Sequence, residues 1–271
     1  MRLGVSFTQT STQHLSRAEL IENARLSEEL GFAGVWFFDA MGRQGGMHPD
    51  PLIAASVSAA VTDQIEVGTC VMQVPLRRAA ELAQRVLTTH MACDGRFTFG
   101  VGAGSTKTDF DLLGLDFDAR MKTLRQSLHT MRALWNGESV NGVGLNPWAA
   151  VRGGPPVLIG SWGGSIWIPR AAQEYDGWIG SGAKSNWAAL TSGIERFRGL
   201  GGKRAIVTNI HCTLGDSDSP WEDDKPFNLK CSPKEARRRL QMIADLGYDD
   251  AILMLPRRDR ATLEELRALW P

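Results

Sequence analysis

Residues 50–101 read DPLIAASVSAAVTDQIEVGTCVMQVPLRRAAELAQRVLTTHMACDGRFTFGV, and this stretch decides the fold. Its apolar spacing predicts a helix over Asp50–Val61, a strand over Ile65–Val71, a helix over Ala79–Met91 and a strand over Arg96–Val101. The strand before it, Gly34–Phe38, is apolar at every position. A strand of that kind is buried on both faces, as in a parallel sheet that helices cover on both sides.

The same alternation extends outward to both ends of the chain. Ser16 and Glu19 form a capping-box pattern that opens the first helix, and Ser232, Pro233 and Glu235 open a later one. The remaining predicted elements are the strands Arg2–Phe7, Pro156–Gly160, Gly177–Ile179, Ala205–Cys212 and Asp250–Leu255, and the helices Phe117–Trp135, Ser165–Glu174, Trp187–Leu200, Lys234–Leu246 and one from Thr262.

Eight strand-then-helix units follow one another, which requires parallel pairing through right-handed crossovers. This pattern predicts an α/β fold, a (β/α)8 TIM barrel that forms a single domain over residues 1–271. An open, doubly wound sheet is the alternative arrangement. The chain has no split into two halves, which favours the closed barrel.

Composition excludes several classes of protein. Lys plus Arg and Asp plus Glu number 30 each, so no basic field favours nucleic acid or anionic lipid. No run of eighteen apolar residues indicates a membrane span, and the N-terminal apolar run is too short for a signal peptide. The four cysteines form no metal-binding spacing with one another or with histidine, so we expect a reduced, cytoplasmic protein without a metal.

Residues that end barrel strands are the candidates for chemistry, because only they and the βα loops converge on a ligand. Two glycine-rich turns follow the fourth and fifth strands, and glycines at helix N-termini let backbone N–H groups face an anion. Neither turn matches GxGxxG, and tight turns alone also need glycine. The candidates are Asp39 and His48 after strand two, Cys70 and Val71 on strand three, Gly102, Ala103, Gly104 and Ser105 after strand four, Ser161, Trp162, Gly163 and Gly164 after strand five, and His211 on strand seven.

Several of these residue types suggest specific roles. His48 and His211 are candidates for proton transfer because imidazole titrates near neutrality. The side chains of Met41, Met72, Trp162 and Trp178 either wall a flat slot at the mouth or pack in the core. The long loop Gly215–Cys231 is a candidate lid over the site.

Three blocks of the chain resemble one known family. These are residues 50–135, with DPLIAASVSAAVTDQIEVGTCV and DFDLLGLDFDARMKTLRQSLHTMRALW at its ends, PPVLIGSWGGSIWIPRAAQEYDGWI from Pro155, and SPKEARRRLQMIADLGYDDAILML from Ser232. Together they are similar to the bacterial luciferase-like oxidoreductases. The resemblance implies a barrel that binds FMN or the deazaflavin coenzyme F420 at its mouth.

The resemblance also assigns roles to positions of this chain. It implies a non-prolyl cis peptide at Cys70-Val71 that backs the ring. It places Asp39 at the end of strand two and Gly102, Ala103, Gly104 and Ser105 beside the ring and ribityl chain. It places Ser161, Trp162, Gly163 and Gly164 on the phosphate.

Two positions depart from the family pattern. Ala40 follows Asp39 where many deazaflavin-using members have His, and Ser105 stands where some have a Glu proton donor. Our hypothesis is a flavin- or deazaflavin-dependent oxidoreductase or monooxygenase acting on a small organic substrate. The resemblance implies a homodimer, and a monooxygenase would need a separate flavin reductase, because the chain carries no nicotinamide fingerprint. The alternative is a flavin-binding barrel that has lost turnover.

Overall fold

Eight parallel strands close into a barrel in the computed structural model, which describes residues 1–7, 15–41, 47–162, 166–216, 218, 221–255 and 259–271. Closure comes from β8, which pairs with both β1 and β7. The predicted (β/α)8 barrel is therefore confirmed. The strands are β1 (Arg2–Phe7), β2 (Gly34–Phe37), β3 (Glu66–Thr69), β4 (Phe97–Gly102), β5 (Val157–Gly160), β6 (Gly177–Ser181), β7 (Arg204–Cys212) and β8 (Asp250–Leu255).

Helices cover the outside of the barrel. The predicted capping box is present at Ser16 and Glu19, whose side chains each accept a hydrogen bond from the other residue's backbone N–H. At the second predicted box Ser232 caps the helix, while the Glu235 carboxylate pairs with Arg238 and Arg239 instead. The helices are α1 (Arg17–Glu29), α2 (Pro51–Ala59), α3 (Ala79–Ala92), α4 (Lys107–Leu113), α5 (Arg120–Trp135), α6 (Trp167–Glu174), α7 (Trp187–Gly199), α8 (Pro233–Asp245) and α9 (Arg260–Arg267).

Two differences from the sequence prediction bear on the mouth of the barrel. The short helix α4 precedes α5, which starts at Arg120 rather than Phe117. Strand β3 ends at Thr69, and the chain resumes strand pairing with β4 only at Met72–Gln73. Both places lie on the C-terminal side of the strands, where βα segments leave the regular pattern to form a ligand site.

The N-terminal end of the barrel is filled by side chains. The Trp36 indole, 1% exposed, lies against Gly4, Gly34 and Gly68, where a Cβ atom would come within 3.1 Å of its ring atoms. Below it, Arg204 Nη1 lies 2.7 Å from Glu66 and its Nε lies 2.9 Å from Asp250. This end is therefore closed, and any ligand of the barrel has to bind at the opposite end.

No helix within the described part of the chain is long and apolar enough to span a membrane.

Candidate active site

A cavity of about 740 Å³ opens at the C-terminal ends of the strands, within the size range of pockets that bind small molecules. Among the described residues, every barrel strand except β1 contributes to its lining, either directly or through the residues that follow it. Of the predicted site residues, the cavity is lined by Asp39, Cys70, Val71, Gly102, Ala103, Gly104, Ser105, Ser161, Trp162 and His211. Gly163 and Gly164, predicted to bind the phosphate, lie outside the described residues.

The segment between β3 and Met72 forms one wall of this cavity. The peptide bond between Cys70 and Val71 is cis, as the family resemblance implies. The Val71 side chain lies over Gly102 and Gly160, where a Cβ atom would stand 2.7 and 2.9 Å from its methyl groups. Because the two glycines have no side chains, Val71 packs directly against the backbone of the barrel wall. This close packing leaves a slot in the cavity above Val71.

Asp39 lines this cavity, but its carboxylate is already engaged. Its two oxygens bind the guanidinium of Arg77, with Arg77 Nη2 at 3.0 Å from Oδ1, and the backbone N–H of Gln73 donates to Oδ2 at 2.9 Å. The Asp39 side chain is only 3% exposed. These contacts show that Asp39 fixes the segment after the Cys70-Val71 bend from a position that also lines the cavity.

The Gln73 side chain extends this support to the turn after β4. Its amide nitrogen donates to the Asp39 carbonyl at 3.0 Å and to the buried carboxylate of Asp109 at 2.7 Å. A Cβ atom on Gly104 would lie 2.5 Å from Gln73 Oε1, and Gly104 has a φ of +83°. Only glycine fits this turn, for both reasons.

Cys70 lies at the base of the slot, fully inside the protein. Burial raises the pKa of its thiol to about 11, although the hydroxyls of Thr208 and Ser6, which face it, oppose the rise. The thiol therefore stays protonated near neutral pH. A thiol in this state is neither a nucleophile nor a base.

Ser161 and Trp162 begin the segment that the resemblance assigns to a phosphate. The indole N–H of Trp178 donates to the Ser161 carbonyl at 3.0 Å and so fixes the start of that segment. Trp162 is 51% exposed and stands at the rim. Lys184, after β6, places its ammonium 5.6 Å from the centre of the Trp162 ring.

Arg120 and Lys184 are cations of the cavity that the sequence did not single out. Arg120 stands at the first turn of α5, stacked 3.8 Å from the Phe117 ring centre. Neither cation forms an ion pair with a carboxylate of the described residues. In the sequence, an arginine at the start of a helix is interpreted as a surface residue. The neighbouring residues do not show that this helix begins at the mouth of the barrel.

The two predicted proton-transfer residues lie in different places. His211, on β7, is exposed and lines the cavity. His48 packs its ring against Phe38, 4.6 Å between ring centres, and belongs to a small neighbouring pocket with Phe7 and Leu20. The structure therefore brings His211 to the mouth cavity and does not bring His48 there.

Some predicted features of the mouth belong to the core instead. Trp178 is 1% exposed and packs against Phe197 and Tyr248 outside the barrel, and Met72 is buried as well. Of the four side chains proposed to wall a slot, only Trp162 lines the cavity.

The described residues of the candidate lid likewise lie away from the mouth. Described residues of the Gly215–Cys231 loop do not line the cavity. Instead Trp221 and Phe227 pack against Trp187 at the start of α7. Asn228 and Leu229 add a short strand to the end of β7.

Comparison with known proteins places this barrel in a family. A sequence model of the luciferase-like monooxygenases matches residues 1–228. The F420-dependent glucose-6-phosphate dehydrogenase of Nocardia farcinica is 29% identical over 191 residues, 65% of this chain and 56% of that protein. The alkanal monooxygenase alpha chain of Photorhabdus luminescens is 26% identical over 170 residues, 56% of this chain and 44% of that protein. The chain thus spans about half the length of these curated relatives.

Solved structures share the fold over nearly the whole chain. The monooxygenase RslO1 from Streptomyces bottropensis has a TM-score of 0.80 at 17% identity, covering 99% of this chain and 96% of that one. The F420-dependent tetrahydromethanopterin reductase from Methanopyrus kandleri has a TM-score of 0.78 at 12% identity, covering 98% of both chains. At such identities the likeness shows the fold alone. On the family match over residues 1–228, the chain belongs to the luciferase-like monooxygenase family.

Proposed function

We propose that this protein is a flavin-dependent oxidoreductase that oxygenates a small organic molecule with reduced FMN. The observation that carries the proposal is the slot above Val71, where Gly102 and Gly160 hold no side chain and the cavity opens to about 740 Å³. Such a slot accepts a flat ring, and the cations at its rim accept a phosphate. The relatives named above, an F420-dependent dehydrogenase and a monooxygenase, are enzymes, and neither favours the alternative of a non-catalytic barrel.

The residues of the cavity fit FMN at both ends of the molecule. The ring would lie in the slot above Val71 and beside the turn Gly102–Ser105, whose described groups carry no net charge. The phosphate would bind to Ser161 and Trp162 with Arg120 or Lys184, since guanidinium and ammonium groups are good phosphate partners.

When bound, the reduced flavin supplies the electrons that activate dioxygen. The chain's own residues hold and shield it. Arg77 and Gln73 hold Asp39, which fixes the wall that supports the ring. Cys70 remains a protonated thiol below that wall. His211 is the imidazole that we propose as proton donor at the mouth, and His48 is assigned no step.

Oxygenation fits this cavity better than alcohol or sugar-phosphate oxidation. Removing a hydride from an alcohol requires a base for the hydroxyl proton. By the family resemblance, Ala40 stands where many deazaflavin-using members have an imidazole and Ser105 where some have a carboxylate, and the carboxylate of Asp39 is bound to Arg77. An uncharged slot is better suited to a reaction in which the bound cofactor, rather than a protein base, reacts with the substrate. A separate flavin reductase would then supply reduced FMN, and the family resemblance implies a homodimer, which sedimentation would test.

Equilibrium titration with FMN, riboflavin and F420 tests the proposal. The wild-type protein is expected to bind FMN, and Arg120→Gln is expected to weaken FMN about tenfold while leaving riboflavin, which lacks the phosphate, unchanged. Arg125→Gln, on the same helix but exposed, is the matched control and should change neither.

Other results of these titrations would change or refute the assignment of the cofactor. Tighter binding of F420 than FMN would move the assignment to the deazaflavin branch. Absence of binding of both cofactors at micromolar concentrations would refute the proposed function. Oxygen consumption with FMN, a flavin reductase and NADH, stimulated by a substrate, separates an enzyme from a barrel that only holds flavin.

A further inference from the structure

Strand β7 contains one extra residue where it reaches the cavity. Along β8, Ala251 and Leu253 are two positions apart, whereas their partners on β7, Val207 and Ile210, are three apart. The extra residue lies at Thr208–Asn209, and Asn209 has a φ of +54°. A bulge of this kind re-aims a side chain in the strand.

The bulge turns two consecutive side chains into the barrel. Before it, Ile206 points inward and Val207 packs outward; after it, Ile210 packs outward and His211 lines the cavity. Regular alternation would send Asn209 outward, beside Val207. With the bulge, Thr208 and Asn209 both line the cavity.

Both side chains have unused hydrogen-bonding capacity. Thr208 is 2% exposed, and its hydroxyl has no nitrogen or oxygen partner among the described residues; it faces the Cys70 thiol, a weak hydrogen-bonding group. Among the described residues, the Asn209 amide makes one long contact, 3.5 Å from its nitrogen to Ser181 Oγ. A buried hydroxyl that meets only a weak thiol gains free energy from a stronger acceptor or donor, so this wall suits a ligand that supplies one.

The position and charge of the wall identify the ligand group. Strand β7 is four strands from β3 in the closed barrel, so this wall stands across the cavity from Val71. Thr208, Asn209 and Ser181 are all uncharged, whereas the cations Arg120 and Lys184 come from α5 and from the segment after β6. The wall therefore matches a neutral group with several donors and acceptors rather than a phosphate or carboxylate.

We propose that Asn209 and Thr208 bind the pyrimidinedione edge of the flavin ring, an inference that rests on the proposed function. That edge presents a carbonyl, an N–H and a second carbonyl in sequence. A side-chain amide pairs with an N–H and an adjacent carbonyl through its oxygen and nitrogen, and a hydroxyl donates to the remaining carbonyl. The opposite, hydrocarbon end of the ring would leave the Thr208 hydroxyl without a partner.

The variants separate the side chains from the backbone of the bulge. Asn209→Gly removes the amide and keeps the positive φ without strain. Thr208→Val removes the hydroxyl and keeps the branched shape. Asn146→Gly is the matched control, because Asn146 also has a positive φ, of +49°, but is exposed and away from the cavity. Circular dichroism melting establishes that each variant is folded.

The probes are FMN and 3-methyl-FMN, which lacks the N–H of the pyrimidinedione edge. We expect the wild type and Asn146→Gly to bind FMN at least about tenfold more tightly than 3-methyl-FMN. Asn209→Gly should bind FMN about tenfold more weakly and lose that preference. Thr208→Val should weaken the binding of FMN and of 3-methyl-FMN by a similar factor, so the preference for FMN should remain. Quenching of flavin fluorescence gives the dissociation constants, with no need for turnover.

Three outcomes would overturn the inference in different ways. Wild-type affinity for FMN in Asn209→Gly would show that the amide does not touch the cofactor. A preference for FMN that survives in Asn209→Gly would assign the N–H to another residue. A wild type that binds neither FMN nor F420 would overturn the proposed function and this inference with it. Binding of F420 alone would transfer the Asn209→Gly comparison to F420, which carries the same edge.

Discussion

The two ends of the barrel use glycine for opposite purposes. At the N-terminal end, Gly68 leaves space that the Trp36 ring fills, since a Cβ atom there would come within 2.4 Å of it. At the C-terminal end, Gly102 leaves space that a Val71 methyl group occupies, and both residues line the open cavity. The same small residue thus completes a packed core at one end and a ligand slot at the other.

Charge follows the same division. Arg204, at the closed end, is matched by Glu66 and Asp250, so its charge is neutralised within the protein. At the open end, Arg120 and Lys184 lack a carboxylate partner among the described residues, and the Thr208 hydroxyl has no nitrogen or oxygen partner there, only the Cys70 thiol. Charged and polar groups that are paired within the protein contribute to its stability. Groups that lack such a partner are available to bind a ligand. Substitutions at the closed end should therefore change the free energy of unfolding, and those at the open end should change binding.

The largest expected effect is the loss of a tryptophan at the closed end. Trp36→Ala leaves a void beside three glycines that carry no side chains to fill it, and we expect a destabilisation of about 3–5 kcal/mol. Trp162→Ala, at the exposed rim, should change stability by only about 0.5 kcal/mol and should weaken FMN binding instead. Urea unfolding and FMN titration of both variants test this. Equal losses of stability would contradict the contrast between the ends.

The charge cluster at the closed end predicts a pH dependence. Burial opposes ionisation of Glu66, but the Arg204 guanidinium, the Thr98 hydroxyl and Arg2 hold its pKa below the ordinary value. Glu66→Gln should therefore cost about 2–3 kcal/mol near neutrality. Because the folded-state pKa is the lower one, this contribution is full above the unfolded-state pKa of about 4.3 and is lost as the pH falls through the folded value. The difference in the free energy of unfolding between wild type and Glu66→Gln should therefore decrease only in that acid range.

A surface ion pair is the control for this prediction. Hydrogen bonding to Arg260 also lowers the pKa of Glu29, but that carboxylate is on the surface. Water screens such a pair, so Glu29→Gln should leave the unfolding curve nearly unchanged. A gap between wild type and Glu66→Gln that stays constant down to the most acidic pH would show that Glu66 titrates normally in the fold.

A smaller effect, on FMN affinity, is expected from adding one methyl group at Gly102 in the open end. A Cβ atom on Gly102 would lie 2.7 Å from a Val71 methyl group, so Gly102→Ala should push Val71 into the slot and weaken FMN about tenfold. Gly102→Ala/Val71→Ala should restore part of the affinity. Gly199→Ala, with no atom within 4 Å, is the control. A double variant no better than the single one would show that Val71 does not transmit the effect.

The sequence predicts the barrel well but does not show which face of a strand meets the cavity. Strict alternation of helix and strand patterns determines the eight units, and the family resemblance locates Cys70 and Val71. Barrel strands, however, are apolar on both faces, so sequence does not show which side chains point inward. Trp178 looked like a slot wall for that reason, whereas it packs outside on Phe197 and Tyr248.

The same limit hides the polar wall on β7. Thr208 and Asn209 are adjacent in AIVTNIHC, and adjacent side chains of a regular strand point to opposite faces, so the sequence does not show that both line the cavity. The pairing of Asp39 with Arg77 is hidden for another reason, because the two residues are 38 positions apart and only the closed barrel brings them together. Both features depend on the three-dimensional fold rather than on any local pattern.

The smallest effect is expected at Cys70, where the packed interior meets the slot. Because burial raises the pKa of this thiol to about 11, it carries no charge between about pH 6 and 9, and a neutral hydroxyl can replace it. Cys70→Ser should therefore keep FMN affinity within about threefold across that range, with a stability loss of about 1 kcal/mol for a less apolar group in the core. FMN titrations at several pH values test this. If affinity depends on pH in the wild type and not in Cys70→Ser, the thiol titrates in that range and belongs to the chemistry of the open end.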